Sequence, residues 1–204
     1  MDGALLDVAV FILAGGKSTR MGADKAFVAL EGRTLLARVL ELARSVSSDV
    51  RIVGDRTRFA PFAPVVEDVF PGCGPLGGIH AALRASPWEF NVILAVDLPY
   101  VSFALLQFLI TRARSSNALV TLAHAGRYWQ PLCAVYRRDF AEAAERSLRA
   151  GHYKIDPLFD EVLVQAIGQQ ELETAGFTPA IFRNLNSPED LAEASAAAVV
   201  RENA

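Results

Sequence analysis

The chain has 204 residues, of which 52% are hydrophobic and 21% charged, and a net charge of −3. That composition excludes wholesale disorder, and the acidic balance argues against a nucleic-acid binder, although a local basic loop can still hold an anionic substrate. A chain of this length buries roughly 70% of its unfolded surface and fits one α/β domain, assigned to residues 1–204.

The first element is the apolar run Val8–Leu13, which reads as a buried strand. Straight after it comes Ala14-Gly15-Gly16-Lys17-Ser18-Thr19-Arg20-Met21-Gly22-Ala23-Asp24-Lys25. A Gly-rich loop there exposes backbone N–H groups, and with its cations it can cradle phosphates. It is not a P-loop, because Phe11 stands where that motif needs its first glycine. The dinucleotide fingerprint fails as well, since Lys17 stands two residues after Gly15. Taken alone, the loop fits a tight turn with solvated cations as well as a phosphate site.

Thr34–Val46 has helical spacing, with Leu35, Leu36, Val39, Leu40, Ala43 and Val46 on one face. Short strands follow at Val50–Val53 and Val65–Glu67, then a helix at Leu76–Ala85 and a buried strand at Val92–Val96. Ser102 caps the next helix. Ala118–Ala123 and Tyr128–Tyr136 form a hairpin, Arg138–Ala150 a helix, and Val162–Ile167 a strand. Ser187-Pro188-Glu189-Asp190 opens the last helix. Strands alternating with helices imply an α/β fold in three layers, with a mostly parallel sheet and one antiparallel hairpin. Ligands bind beyond the carboxyl ends of such strands. That selects the loops after Leu13, Val53, Glu67 and Val96.

Two of those loops carry candidate chemistry. Asp97 opens Asp97-Leu98-Pro99-Tyr100. A carboxylate at a strand end is often only a turn residue, but beside a phosphate loop it can hold Mg²⁺. Asp68 opens a stretch whose last ten residues, Val69 to Gly78, hold four glycines and two prolines. Turn chemistry explains that composition, and so does binding of a ligand by a carboxylate and exposed backbone groups. Cys73 and Cys133 form no CxxC and read as ordinary thiols of a reducing compartment. The three histidines lack metal-ligand spacing and read as surface or helix residues. No secretory signal is evident, and Asp97 and Pro99 interrupt the apolar stretch 91–110, so a cytoplasmic protein without a membrane span is expected.

The unbroken pattern Leu-Ala-Gly-Gly-x-Ser-x-Arg-Met-Gly-x-Asp-Lys from Leu13 to Lys25 resembles the molybdenum cofactor guanylyltransferase family. Gly74-Pro75-Leu76-Gly77-Gly78, Asp97-Leu98-Pro99 and Asn184-Leu185-Asn186-Ser187-Pro188-Glu189 resemble its other motifs. The resemblance implies a Rossmann-like nucleotidyltransferase fold and transfer of GMP from GTP to the terminal phosphate of molybdopterin. It assigns Lys25, Asp97 and Arg20 to catalysis and Asp97 to Mg²⁺. Leu13, Ala14, Gly15, Gly16, Lys25, Asp68, Gly74, Pro75, Leu76, Gly77, Gly78 and Asp97 would bind the nucleotide. Asn184 and Asn186 would face the acceptor, with Tyr128 and Trp129 available to stack on its pterin. Transient molybdoenzyme or chaperone partners are implied too. At Gly54 the family often has a nucleotide-contacting Asn, so a side-chain contact is lost here. A related transferase using CTP or another acceptor, or a nucleotide-binding adaptor without catalysis, are the alternatives.

Overall fold

The computed structural model describes residues 7–15, 25–125, 128–185, 187 and 189–193. The chain starts in β1 (Val8–Leu13), where Val8 to Ile12 are all buried. Burial on both faces is why this strand reads as a continuous apolar run rather than an alternating one. A single turn of 3-10 helix, Lys25–Phe27, leads into a small hairpin of β2 (Ala29–Leu30) and β3 (Arg33–Thr34). Its turn residues Glu31 and Gly32 have φ of 52° and 72°, the left-handed pair that suits a two-residue hairpin.

Helix α1 (Leu35–Val46) is capped by the Thr34 side chain, which accepts from the Ala37 amide at 3.2 Å. It leads to β4 (Asp49–Val53), the short α2 (Arg56–Phe59) and β5 (Val65–Val66). Next come α3 (Gly74–Ala85), β6 (Phe90–Ala95) and α4 (Phe103–Arg114). The Ser102 hydroxyl caps α4 as expected, accepting from the Leu105 amide at 3.2 Å. After β7 (Val120–Ala125) and β8 (Tyr128–Arg137) come α5 (Phe140–Arg149), β9 (Val164–Gly168) and α6 (Gln169–Thr174). Near the end, the Ser187 amide donates to Asp190 and the Asp190 amide to Ser187 Oγ, the reciprocal pair of a capping box.

One sheet of seven strands runs in the order β5-β4-β1-β6-β8-β7-β9. Strand β8 opposes both neighbours, and the other pairings are parallel. Alternate residues of the central strands feed two cores. Val10, Ile12, Val92 and Leu94 pack against α1 and α4. Ala9, Phe11 and Ile93 pack against α3 and α5. The predicted mostly parallel sheet with a hairpin is what the structure contains. Helix α2, helix α6 and the β2–β3 hairpin were not foreseen, because elements of two to six residues carry too few turns to show a period.

A polar staple ties the sheet to the loop before β6. Asp49 accepts from Arg51 at 2.8 and 2.9 Å and from Trp88 Nε1 at 2.9 Å. Burial pushes the Asp49 carboxyl up, but the hydrogen bonds from Arg51 and Trp88 and the guanidinium charge outweigh it, and the net shift is downward. A depressed native pKa contributes stability that is complete above the unfolded value near 3.8 and is lost as pH falls through the native one. Denaturant melts between pH 6 and pH 2.5 should therefore show a steeper acid loss in the wild type than in Asp49→Asn. Equal slopes would remove Asp49 from this role.

Candidate active site

After β1 the chain crosses through α1 to β4 on one side, while β6 lies on the other. The crevice beyond the carboxyl ends of β1 and β6 is thus a topological switch point, where such sheets bind ligands. It opens into a cleft of about 820 Å³. Its floor is Leu13, Ala14 and Gly15. The Ala14 amide donates to Val53 O at 3.1 Å, and the Val96 amide to Leu13 O at 3.3 Å. These bonds hold the three strand ends in register as one rigid edge.

Lys25 and Asp97, 72 positions apart, meet across this floor with Lys25 Nζ 2.9 Å from Asp97 Oδ2. Their side chains are 21% and 15% exposed, so the pair faces the cleft without being sealed from it. The lysine is carried on the 3-10 turn, whose Ala26 is fully buried. The next residue, Phe27, stacks on Phe59 at 6.0 Å. On the other side, the Leu185 amide donates to Asp97 O at 3.1 Å, which brings the exposed Asn184 alongside. Gly16, Arg20 and Asn186 lie outside the described residues.

The segment Gly74–Gly78 departs from expectation. It is the first turn and a half of α3, which begins two residues before the predicted Leu76. Five consecutive helical residues cannot all face one side, because each is rotated by about 100° from the last. Gly74, Pro75 and Gly78 line the cleft. Leu76 instead points into the core with no exposed surface. A Cβ at Gly77 would meet Phe70 O at 2.9 Å, so that position is packed against the preceding loop. Leu76 and Gly77 thus support this wall of the cleft rather than line it. Gly72 and Gly74, with φ of 79° and 67°, turn the chain around Cys73 into the helix, and both line the cleft.

Asp68 stands on the same wall. Its outer side is exposed, yet the cleft partly desolvates the carboxyl and raises its pKa above the ordinary value. Two further residues that the sequence did not point to also line the cleft, Asp55 and Arg58 of the α2 region. Their only signal was Asp55 standing as a helix N-cap before Thr57, and α2 has four residues. A Cβ on Gly54 would lie 3.0 Å from the buried Phe59 ring, so a side chain there requires the ring to shift.

From β8, Leu132 reaches the cleft. Trp129 packs against His124 of the same hairpin at 4.5 Å and against Phe159, in the segment before β9, at 5.5 Å, while Tyr128 is 68% exposed. Both cysteines are free thiols. No group of three or more His, Cys, Asp or Glu that could hold a metal occurs among the described residues, and none of their helices is long and apolar enough to cross a membrane.

Strand-end backbone, a lysine and a carboxylate across a switch point, and a helix start on the third side form the ligand cleft of an α/β fold. The chain belongs to the MobA-like NTP transferase domain family, whose model matches residues 10–167. A probable molybdenum cofactor guanylyltransferase of Pelotomaculum thermopropionicum is 31% identical over 93% of each chain. A molybdenum cofactor guanylyltransferase of Desulfosudis oleivorans is 34% identical over 91% of this chain and 93% of that one. The crystal structure of molybdopterin-guanine dinucleotide biosynthesis protein A from Archaeoglobus fulgidus superposes with a TM-score of 0.83 at 27% identity, covering 94% and 99% of the two chains.

Proposed function

We propose that the protein transfers GMP from GTP to the terminal phosphate of molybdenum-molybdopterin, giving molybdopterin guanine dinucleotide and pyrophosphate. The observation that carries this reading is the Lys25–Asp97 pair facing the Leu13–Gly15 floor. The names of the relatives supply the substrates.

The acceptor phosphate is already ionised, so its oxygen attacks the α-phosphorus without a general base. The new O–P bond forms as the bond to the β-phosphate oxygen breaks, and pyrophosphate leaves with the electron pair. The chain's task is to hold two anions together and to offset charge on the leaving group. The Gly15 amide and the backbone around Leu13, Ala14 and the start of α3 position the nucleotide. Lys25 donates to phosphate oxygens, and Arg20 is proposed as a second phosphate contact. Asn184 and Asn186 orient the acceptor. The donor set suits Mg²⁺: Asp97 has one oxygen engaged by Lys25 and a second for a hard cation. Mg²⁺ commonly binds through one or two carboxylates plus substrate phosphates. Asp97 would hold the ion, which when bound supplies neutralising charge at the phosphate oxygens. Free thiols at Cys73 and Cys133 fit a reducing cytoplasm.

Thermal shifts with Mg²⁺ and each nucleoside triphosphate test the base assignment, since a selective ligand raises the midpoint by mass action. GTP should give the largest shift; a shift with CTP and none with GTP would overturn it. Asp68 adds a pH signature. As a carboxylate it accepts from guanine N–H groups, so GTP affinity should fall as pH drops through its raised pKa. The loss should begin at a higher pH than for an unperturbed aspartate, and Asp68→Asn should abolish this acid limb in titration calorimetry. An acid limb unchanged in the variant would assign it to another group.

A further inference from the structure

The far end of the cleft carries an arginine, Arg58, that the proposed chemistry does not use. Asp97 follows β6, the segment Gly54 to Arg58 follows β4, and Asp68 follows β5. With strands about 4.8 Å apart and the order β5-β4-β1-β6, the β4 and β5 ends lie ~10 and ~14 Å from Asp97. A nucleotide whose α-phosphate sits at Lys25 and Asp97 therefore lays its base over β4 and β5. Four side chains line the cleft there: Asp55, Arg58, Phe59 and Asp68.

Asp55 is engaged locally. Its carboxylate accepts from the Thr57 amide at 2.7 Å and from Thr57 Oγ1 at 2.5 Å, capping α2. Arg58 is held differently. Its guanidinium lies 5.3 Å from the centroid of the Phe59 ring. That ring is fully buried, abuts Gly54 and stacks on Phe27, so it offers a fixed platform.

We infer that Arg58 is a guanine-specificity residue: its guanidinium donates to O6 and N7 of the base while Asp68 accepts from N1–H and N2–H₂. The inference rests on GTP being the substrate. Guanine presents two acceptors on one edge, which match the arginine fork, and donors on the next, which match a carboxylate. Adenine puts an amino donor against the arginine and an acceptor against the carboxylate, and pyrimidines have no N7. The pair therefore discriminates on both edges at once.

The test is titration calorimetry with Mg²⁺ and GTP, 7-deaza-GTP or ATP, on wild type, Arg58→Ala and Arg58→Lys. Wild type should bind 7-deaza-GTP more weakly than GTP. Arg58→Ala should bind GTP about 10- to 100-fold more weakly, the discrimination carried by a bidentate arginine–guanine contact. It should also bind GTP and 7-deaza-GTP alike. Arg58→Lys keeps the charge and aliphatic stem over Phe59 but lacks the fork; it should lose most of the N7 dependence, and it serves if the alanine variant does not fold. An equal loss for GTP and 7-deaza-GTP in both variants would make Arg58 a phosphate or structural contact and overturn the inference, as would unchanged GTP affinity. Wild type that prefers another nucleotide would overturn the GTP reading and this inference together, and that result is visible without any variant.

Discussion

Asp97→Ala should lower turnover by roughly 10³-fold, because several kcal/mol of charge stabilisation at the phosphates would go with the carboxylate. The fold should survive. Asp97 sits at the rim of the sheet with a partly exposed side chain, and its structural hydrogen bond to Leu185 uses the main-chain carbonyl. Nucleotide binding should persist as well, since Lys25 keeps its place on a turn anchored by Ala26 and Phe27. The signature is thus a collapse of kcat with a near-normal melting midpoint and a modest change in GTP affinity. Asp97→Asn, which keeps the shape and removes the charge, should behave similarly. Steady-state pyrophosphate release measures both; near-normal rates with Mg²⁺ and GTP would take Asp97 out of the metal-binding role.

Lys25→Ala should act on binding first. In the proposed role the ammonium offsets triphosphate charge from a half-sheltered position, where a charge-assisted hydrogen bond contributes about 1.5–3 kcal/mol. The dissociation constant for GTP should therefore rise ~10- to 100-fold. Removing Lys25 also leaves Asp97 without the charge partner 2.9 Å away, which sets its carboxylate against the incoming phosphates. Because the two residues are in contact, their effects on turnover should not add, and the double variant should be less impaired than the product of the two single losses. Affinity equal to wild type in calorimetry would contradict the phosphate role of Lys25.

Much of this site is legible in the sequence, for identifiable reasons. The buried strand Val8–Leu13 and the Gly-rich residues after it mark a carboxyl edge. The rule that ligands bind beyond that edge brings in Asp97 without any knowledge of contacts. It also led to Asp68. The departures come where local chemistry has two readings. Gly74 to Gly78 reads as a loop by composition, but Pro75 is also a good first-turn residue, and α3 begins there. The helical rotation then sends Leu76 into the core and Gly77 against Phe70. Arg58 was hidden because α2 is a single turn whose value lies in where β4 ends, a property of sheet order rather than of its own four residues. The β7–β8 hairpin was visible, but the register shift between Leu122 and His124, which accompanies Trp129 packing on His124, has no sequence signal in an otherwise regular strand.

One reaction tests the guanylyl transfer most directly. Purified protein, Mg²⁺, GTP labelled at the α-phosphate and molybdopterin should yield labelled molybdopterin guanine dinucleotide by mass spectrometry, with one pyrophosphate released per product. Labelled CTP in the same assay should yield little. Product from CTP but not GTP, or pyrophosphate release without a labelled dinucleotide, would contradict it.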